Sequence, residues 1–195
     1  MPLCTAAGLD AAVTRIFVAA GAPSDIAAKV AGWLVNSDLS GHTSHGVGFV
    51  PSYVESMRTG AVVPAERPQI LAETATTLLL DGRCGFGLLA ADLLVRTLAD
   101  KARAIRLAMG GIVRANHIGR LGEWAELGAE LGVLLFLTYG HEGRLVAPYG
   151  GAEGRFGTNP IAFGAPTGDG APIALDIATS VVAGGKLRVA QDKGA

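Results

Sequence analysis

The feature that bears hardest on this chain is a change of apolar period along it. Between Asp10 and Asp38 the apolar residues recur at helical spacing, Val13, Ile16 and Phe17, then Ile26, Val30 and Leu34, which is the stripe of helices that bury one face. Gly21-Ala22-Pro23-Ser24 interrupts the stripe, so the segment predicts a helical hairpin whose second helix starts at a Ser24 N-cap. A loop, Gly41-His42-Thr43-Ser44-His45-Gly46, leads to a short helix expected over about 50–57 and closed by Gly60, and Pro64 and Pro68 mark a new region. From Thr76 the pattern alternates: strand at 76–80, turn at Asp81-Gly82, helix at about 88–106, strand at 111–115, helix at about 121–131, strand at 133–139. One more apolar run covers 172–177. The alternation predicts an α/β layer, so two regions are expected, a helical one over 1–70 and an α/β one over 71–195.

Composition narrows the class. Half of the 195 residues are hydrophobic, enough for a sizeable core. Sixteen Lys and Arg against 17 Asp and Glu leave a formal charge of -1, with no block of either sign, so neither nucleic acid nor an anionic membrane is expected as a partner. Cys4 and Cys84 fit no C-x-x-C spacing and are expected as free thiols in a reducing cytoplasm. The N-terminus lacks a basic segment followed by an apolar one, and the apolar run at 133–137 is far too short to cross a bilayer. A cytoplasmic protein is expected.

Gly85-Phe86-Gly87-Leu88-Leu89-Ala90 follows a strand and opens a helix, as a pyrophosphate-binding G-x-G-x-x-A does. The acidic residue that should end the next strand is missing, however, since that strand runs into Arg114 and Asn116-His117. The glycines are expected to serve tight packing at the helix start, and the cofactor is not placed there.

His117 stands just past a strand and before a helix, in Asn116-His117-Ile118-Gly119-Arg120. A histidine there can exchange a proton with a substrate oxygen near neutral pH, or it can cap a helix and fill a gap. His45 can hydrogen-bond a phosphate, a ribose or a carboxamide, or stabilise its own loop. His42, His45, His117 and His141 gain no acidic or thiol neighbour at ligand spacing, so no metal is expected. Arg155-Phe156-Gly157-Thr158-Asn159-Pro160 reads as a tight turn that either presents polar groups or is structural. Asp176 ends an apolar strand, where an unpartnered carboxylate is costly. It can orient a histidine, bind a ribose hydroxyl or cap the next turn.

Taken together, residues 38–47 with Pro51 and Tyr53, then Asn116-His117-Ile118-Gly119-Arg120, Gly157-Thr158-Asn159-Pro160, and Asp176-Ile177-Ala178-Thr179-Ser180 with Gly185-Lys186, resemble the ordered motifs of the type 2 malate/L-lactate dehydrogenase family. Segments 41–53 and 117–125 look closest to its hydroxycarboxylate dehydrogenase B branch. The resemblance implies an NAD- or NADP-dependent oxidoreductase acting on a 2-oxo or 2-hydroxy carboxylic acid of malate, lactate or aromatic type. It implies His117 as proton donor and acceptor, with Asp176 assisting its orientation. Cofactor contacts are implied at His45, Gly119, Arg120, Leu121, Ala174, Leu175, Asp176, Ile177 and Ala178, and substrate contacts at Ser44, Phe49, Tyr53 and Arg120. The implied fold is a helical region joined to a non-Rossmann nicotinamide-binding α/β domain, and the implied assembly is a homodimer.

Two departures from the family pattern shape the expectations. Where many members place an arginine that clamps the substrate carboxylate, this chain has Phe49. A preference for bulky or aromatic 2-oxo acids is therefore expected, with the carboxylate held elsewhere, at Arg120. Family chains also run well beyond 195 residues, so a fragment or a truncated product is expected. The alternatives are an inactive remnant that dimerises or binds nucleotide, and a reductase of cyclic imino acids.

Overall fold

The computed structural model describes residues 4–140, 143–168, 170–181 and 194. His141, Gly185-Lys186 and the polar segment at 191–193 lie outside the described residues. The chain divides into two compact units, Met1–Arg120 and Leu121–Ala195. Residues 71–120 thus share a unit with the helical region that was expected to end at 70.

In the first unit α1 (Ala6–Ala19) and α2 (Ser24–Leu39) form the hairpin, turning at Gly21, whose φ of 103° suits glycine alone. Phe17, Ile26, Val30 and Leu34 are fully buried between them, whereas Ile16 is 45% exposed, off the buried stripe. Thr5 caps α1 by accepting from Gly8 N at 3.1 Å. The N-cap expected at Ser24 is not found: Pro23 occupies that position, Ser24 is already helical and no side chain caps the helix. The fixed φ of proline, here -56°, sets the start instead.

The 3-10 turns Thr43–His45 and Val47–Phe49 run into α3 (Val50–Arg58). A sheet follows in which β1 (Gln69–Glu73) pairs antiparallel with β2 (Thr77–Asp81), and β2 pairs parallel with β3 (Met109–Val113). Helix α4 (Gly87–Ile105) is the crossover that a parallel pair requires. Leu78 and Leu80 from β2 and Leu94 from α4 form the buried cluster, with Leu93, Leu98 and Ile112 around it.

In the second unit α5 (Leu121–Glu130) lies on an antiparallel sheet of order β4 (Leu135–Thr138), β5 (Ile161–Ala165), β6 (Ile173–Ile177). Trp124 and Ala125 are fully buried. Close approach is possible because β5 carries Gly164, where an added Cβ would lie 1.9 Å from Ala125 O. The single layer expected from the alternation is therefore two sheets, because β4 pairs with β5 and not with β3. Neither β1 nor β5 was expected from the sequence. Among the described residues no helix is long and apolar enough to cross a membrane.

Candidate active site

The site in the first unit is built on the loop that follows β3. Arg114 turns the chain with φ 51°, and Asn116 then fixes it. Its amide nitrogen donates to three backbone carbonyls, Ala61 O at 3.0 Å, Cys84 O at 2.9 Å and Gly85 O at 3.1 Å. Gly87, the first residue of α4, lies directly beneath: an added Cβ would be 2.1 Å from Asn116 O and 2.7 Å from His117 O. The start of α4 is thus covered by the carbonyl oxygens of the His117 loop, which occupy the ground that a pyrophosphate would need. The glycines of the G-x-G pattern serve close packing, as the sequence led us to expect.

An ion-pair cluster braces the turn on which Asn116 rests. Asp81, buried at the end of β2, takes both Nε and Nη2 of Arg114, the former at 2.9 Å, and accepts from Arg83 N at 2.8 Å. The Arg114 guanidinium, helped by that backbone N–H, holds the Asp81 carboxyl below its ordinary value. Arg83 in turn pairs with Glu66 and lowers its carboxyl as well.

His117 meets α3 and the 3-10 turns through its ring. Tyr53, only 4% exposed, places its hydroxyl 2.8 Å from His117 Nδ1. Phe17 and Phe86 hold the Tyr53 ring at centroid distances of 6.1 and 5.7 Å, so the phenol has little freedom. Phe49 stacks on His117, 4.8 Å away and 6° from parallel. His45 lies 5.7 Å from His117 and 5.9 Å from Phe49, also near parallel. Ser44 Oγ is 3.0 Å from His45 Nδ1.

The Ser44-His45-Gly46 segment owes its shape to Asp38. The Asp38 carboxylate accepts from Val47 N at 2.8 Å, and it sits where a side chain at Gly46 would be, 2.1 Å from an added Cβ. Arg120 is 4% exposed, with Nη2 3.4 Å from Ser40 Oγ. Gly119 has φ 76° and lies against Leu88.

Among the expected site residues the structure therefore gathers Ser44, His45, Phe49, Tyr53 and His117 into one cluster. Leu121, Ala174, Leu175, Asp176, Ile177 and Ala178 belong to the second unit. There Asp176 Oδ2 accepts from Gly122 N at 2.7 Å, capping the first turn of α5, a helix-capping role like the one considered for it but at a different helix end. The Gly-Thr-Asn-Pro loop is tied down by Thr179, whose hydroxyl donates to Thr158 O at 3.1 Å and Asn159 O at 2.9 Å. Sequence reasoning attached no role to Asn116. Its one legible signal was position, a side-chain amide between a strand end and a histidine.

A loop histidine whose Nδ1 meets a buried phenol, flanked by stacked rings and a second histidine, defines a class of site suited to proton exchange with a bound ligand. The chain belongs to the malate/L-lactate dehydrogenase family, which it matches over residues 4–195. It is similar to hydroxycarboxylate dehydrogenase B of Escherichia coli O157:H7, 37% identical over 187 residues, covering 95% of this chain and 52% of that protein. Its fold is similar to a malate dehydrogenase from Entamoeba histolytica, with TM-score 0.92 and 26% identity over 99% of this chain and 54% of the other. It is also similar to a delta1-piperideine-2-carboxylate reductase from Pseudomonas syringae pvar. tomato, with TM-score 0.91 and 31% identity over 100% of this chain and 58% of the other. The chain spans about half the length of the relatives it matches.

Proposed function

We propose that the chain contributes the proton-transfer side of an NAD- or NADP-dependent oxidoreductase that interconverts 2-oxo and 2-hydroxy carboxylic acids, with His117 as the acid/base. The observation that carries this is the 2.8 Å bond between Tyr53 Oη and His117 Nδ1, in a chain of dehydrogenase family. With Nδ1 engaged by Tyr53, the proton passes through Nε2. A hydroxyl that accepts from Nδ1–H serves both states of the ring: the imidazolium that protonates the 2-oxo oxygen, and the neutral tautomer that recovers the proton in the reverse direction. Tyr53 thereby keeps one tautomer throughout the cycle. Asp176 is the carboxylate proposed to assist from the second unit.

A nicotinamide fits the donor set beside His117. The hydroxyl of Ser44 and the imidazole of His45 are groups that hydrogen-bond a carboxamide, and the near-parallel rings of His45 and Phe49 suit a flat heterocycle. When bound, the reduced nicotinamide supplies the hydride to the 2-oxo carbon. Gly119, Arg120, Leu121 and residues 174–178 are the further proposed cofactor contacts.

Phe49 against the His117 ring supports an apolar approach to the reacting carbon, hence a bulky or aromatic 2-oxo acid whose carboxylate is taken by Arg120. The likeness to the piperideine-carboxylate reductase favours a second reading, in which a cyclic C=N replaces C=O and His117 protonates nitrogen. A homodimer in the cytoplasm is the proposed setting. The test is absorbance of NADH or NADPH with oxaloacetate, pyruvate, phenylpyruvate and a cyclic imine. Loss with phenylpyruvate well above oxaloacetate is expected; comparable rates refute the substrate preference, loss with the imine alone selects the second reading, and cofactor binding without any loss points to an inactive remnant.

A further inference from the structure

We propose that His45 and His117 form one coupled acid–base pair, in which a proton on either ring disfavours a proton on the other, so that His45 sets the pH at which His117 works. The words about His117 at work rest on its proposed acid/base role; the coupling itself does not.

The ring centroids are 5.7 Å apart and the planes 21° from parallel, and both residues are half-buried. Phe49 lies against both rings, 4.8 Å from His117 and 5.9 Å from His45, and an apolar ring there screens charge poorly. At an effective dielectric of about 20, two unit charges at this separation repel by an amount worth about two pH units. The hydrogen bonds shown for the two rings do not offset this. Each Nδ1 meets a hydroxyl, Tyr53 for His117 and Ser44 for His45, and a hydroxyl serves a neutral or a charged imidazole without supplying a counter-charge. The pair therefore titrates in two macroscopic steps. Phe49 decides the order: its face is nearer His117, where a cation–π attraction holds the first proton.

The surrounding elements bring His42 on the 3-10 turn, Asp38 from α2, Tyr53 on α3, the Glu55–Arg58 pair farther along α3, and Arg120 on the His117 loop. Carboxylates, guanidiniums and phenols keep one charge across the range in which imidazoles titrate, so these groups offset both rings without coupling them. His42 is exposed and provides an internal reference.

The experiment is a 15N imidazole NMR titration of the whole chain, with signals assigned from single His→Gln variants. In His117→Gln the midpoint of His45 is expected to rise by about two pH units, and in His45→Gln that of His117 moves little. Should either variant fail to fold, His117→Phe and His45→Phe keep a ring in the stack and give the same readout. A rise in either surviving ring supports coupling, whichever ring protonates first; shifts below about half a unit in both would overturn it. Since no turnover is measured, that failure would leave the acid/base role of His117 standing.

Discussion

Substituting alanine at Gly87 tests whether the His117 loop is seated as closely on α4 as its geometry indicates. The new Cβ would lie 2.1 Å from Asn116 O, whereas carbon and oxygen settle at about 3.3 Å, so loop and helix must separate by roughly 1 Å. Overpacking of this kind costs about 1–3 kcal/mol. The upper end applies, because the atom met is a backbone carbonyl that Asn116 holds on three partners and not a side chain that can swing aside. Alanine recovers up to about 1 kcal/mol through helix propensity, leaving a net loss of about 2 kcal/mol. Gly32→Ala is the control: it sits within α2 with only Asp10 Oδ2 nearby, at 3.6 Å, and is expected to be neutral or stabilising by up to about 1 kcal/mol. Urea midpoints at unchanged slope report both, and the His117 imidazole signal reports the loop. Gly87→Ala within about 0.5 kcal/mol of the parent, with the His117 signal in place, would refute the seating.

Three further outcomes are expected. Tyr53→Phe keeps the ring between Phe17 and Phe86 but removes the bond to His117 Nδ1; stability should fall by only about 1 kcal/mol while kcat/KM falls by about 10- to 100-fold, and unchanged turnover excludes Tyr53 from positioning the ring. Trp124→Ala empties a fully buried site under the second sheet and should lower the stability of that unit by about 3–5 kcal/mol in denaturant unfolding; a loss under about 1 kcal/mol would show that the site collapses. The Asp81 carboxyl is held below its ordinary value by Arg114, so the folded state binds fewer protons there than the unfolded state. Its stabilisation is complete above the model value of 3.8 and is lost as pH falls through the lower folded value. The stability gap between the parent and Asp81→Asn should accordingly narrow below about pH 4, and a gap independent of pH would contradict the pairing.

Much of the first unit was legible because its elements carry strong periodic signals. The α1–α2 stripe, the turn at Gly21 and the strand and helix runs from β2 to β4 all announce themselves by spacing. What was not legible has local causes. The five residues of β1 are all exposed and show no alternation, and their pairing with β2 was invisible in one sequence. Gly164 and the preceding Pro160 disguised β5 as a loop, although the glycine is required there by the backbone of α5. Without β5 the strand at 135–138 had no visible antiparallel partner, and a single layer was the natural expectation. In the site, histidine chemistry and the packing role of Gly85 and Gly87 could be inferred from residue types in order. The hydroxyl of Tyr53 on His117, 64 positions apart, needed the fold, as did the amide of Asn116 on three carbonyls.

The most direct measurement compares the parent and His117→Ala for oxidation of reduced nicotinamide by a 2-oxo acid, with cofactor binding followed separately by fluorescence. The variant is expected to bind cofactor as the parent does and to lose about 100- to 10,000-fold in kcat; near-normal turnover in His117→Ala would contradict proton transfer at this residue.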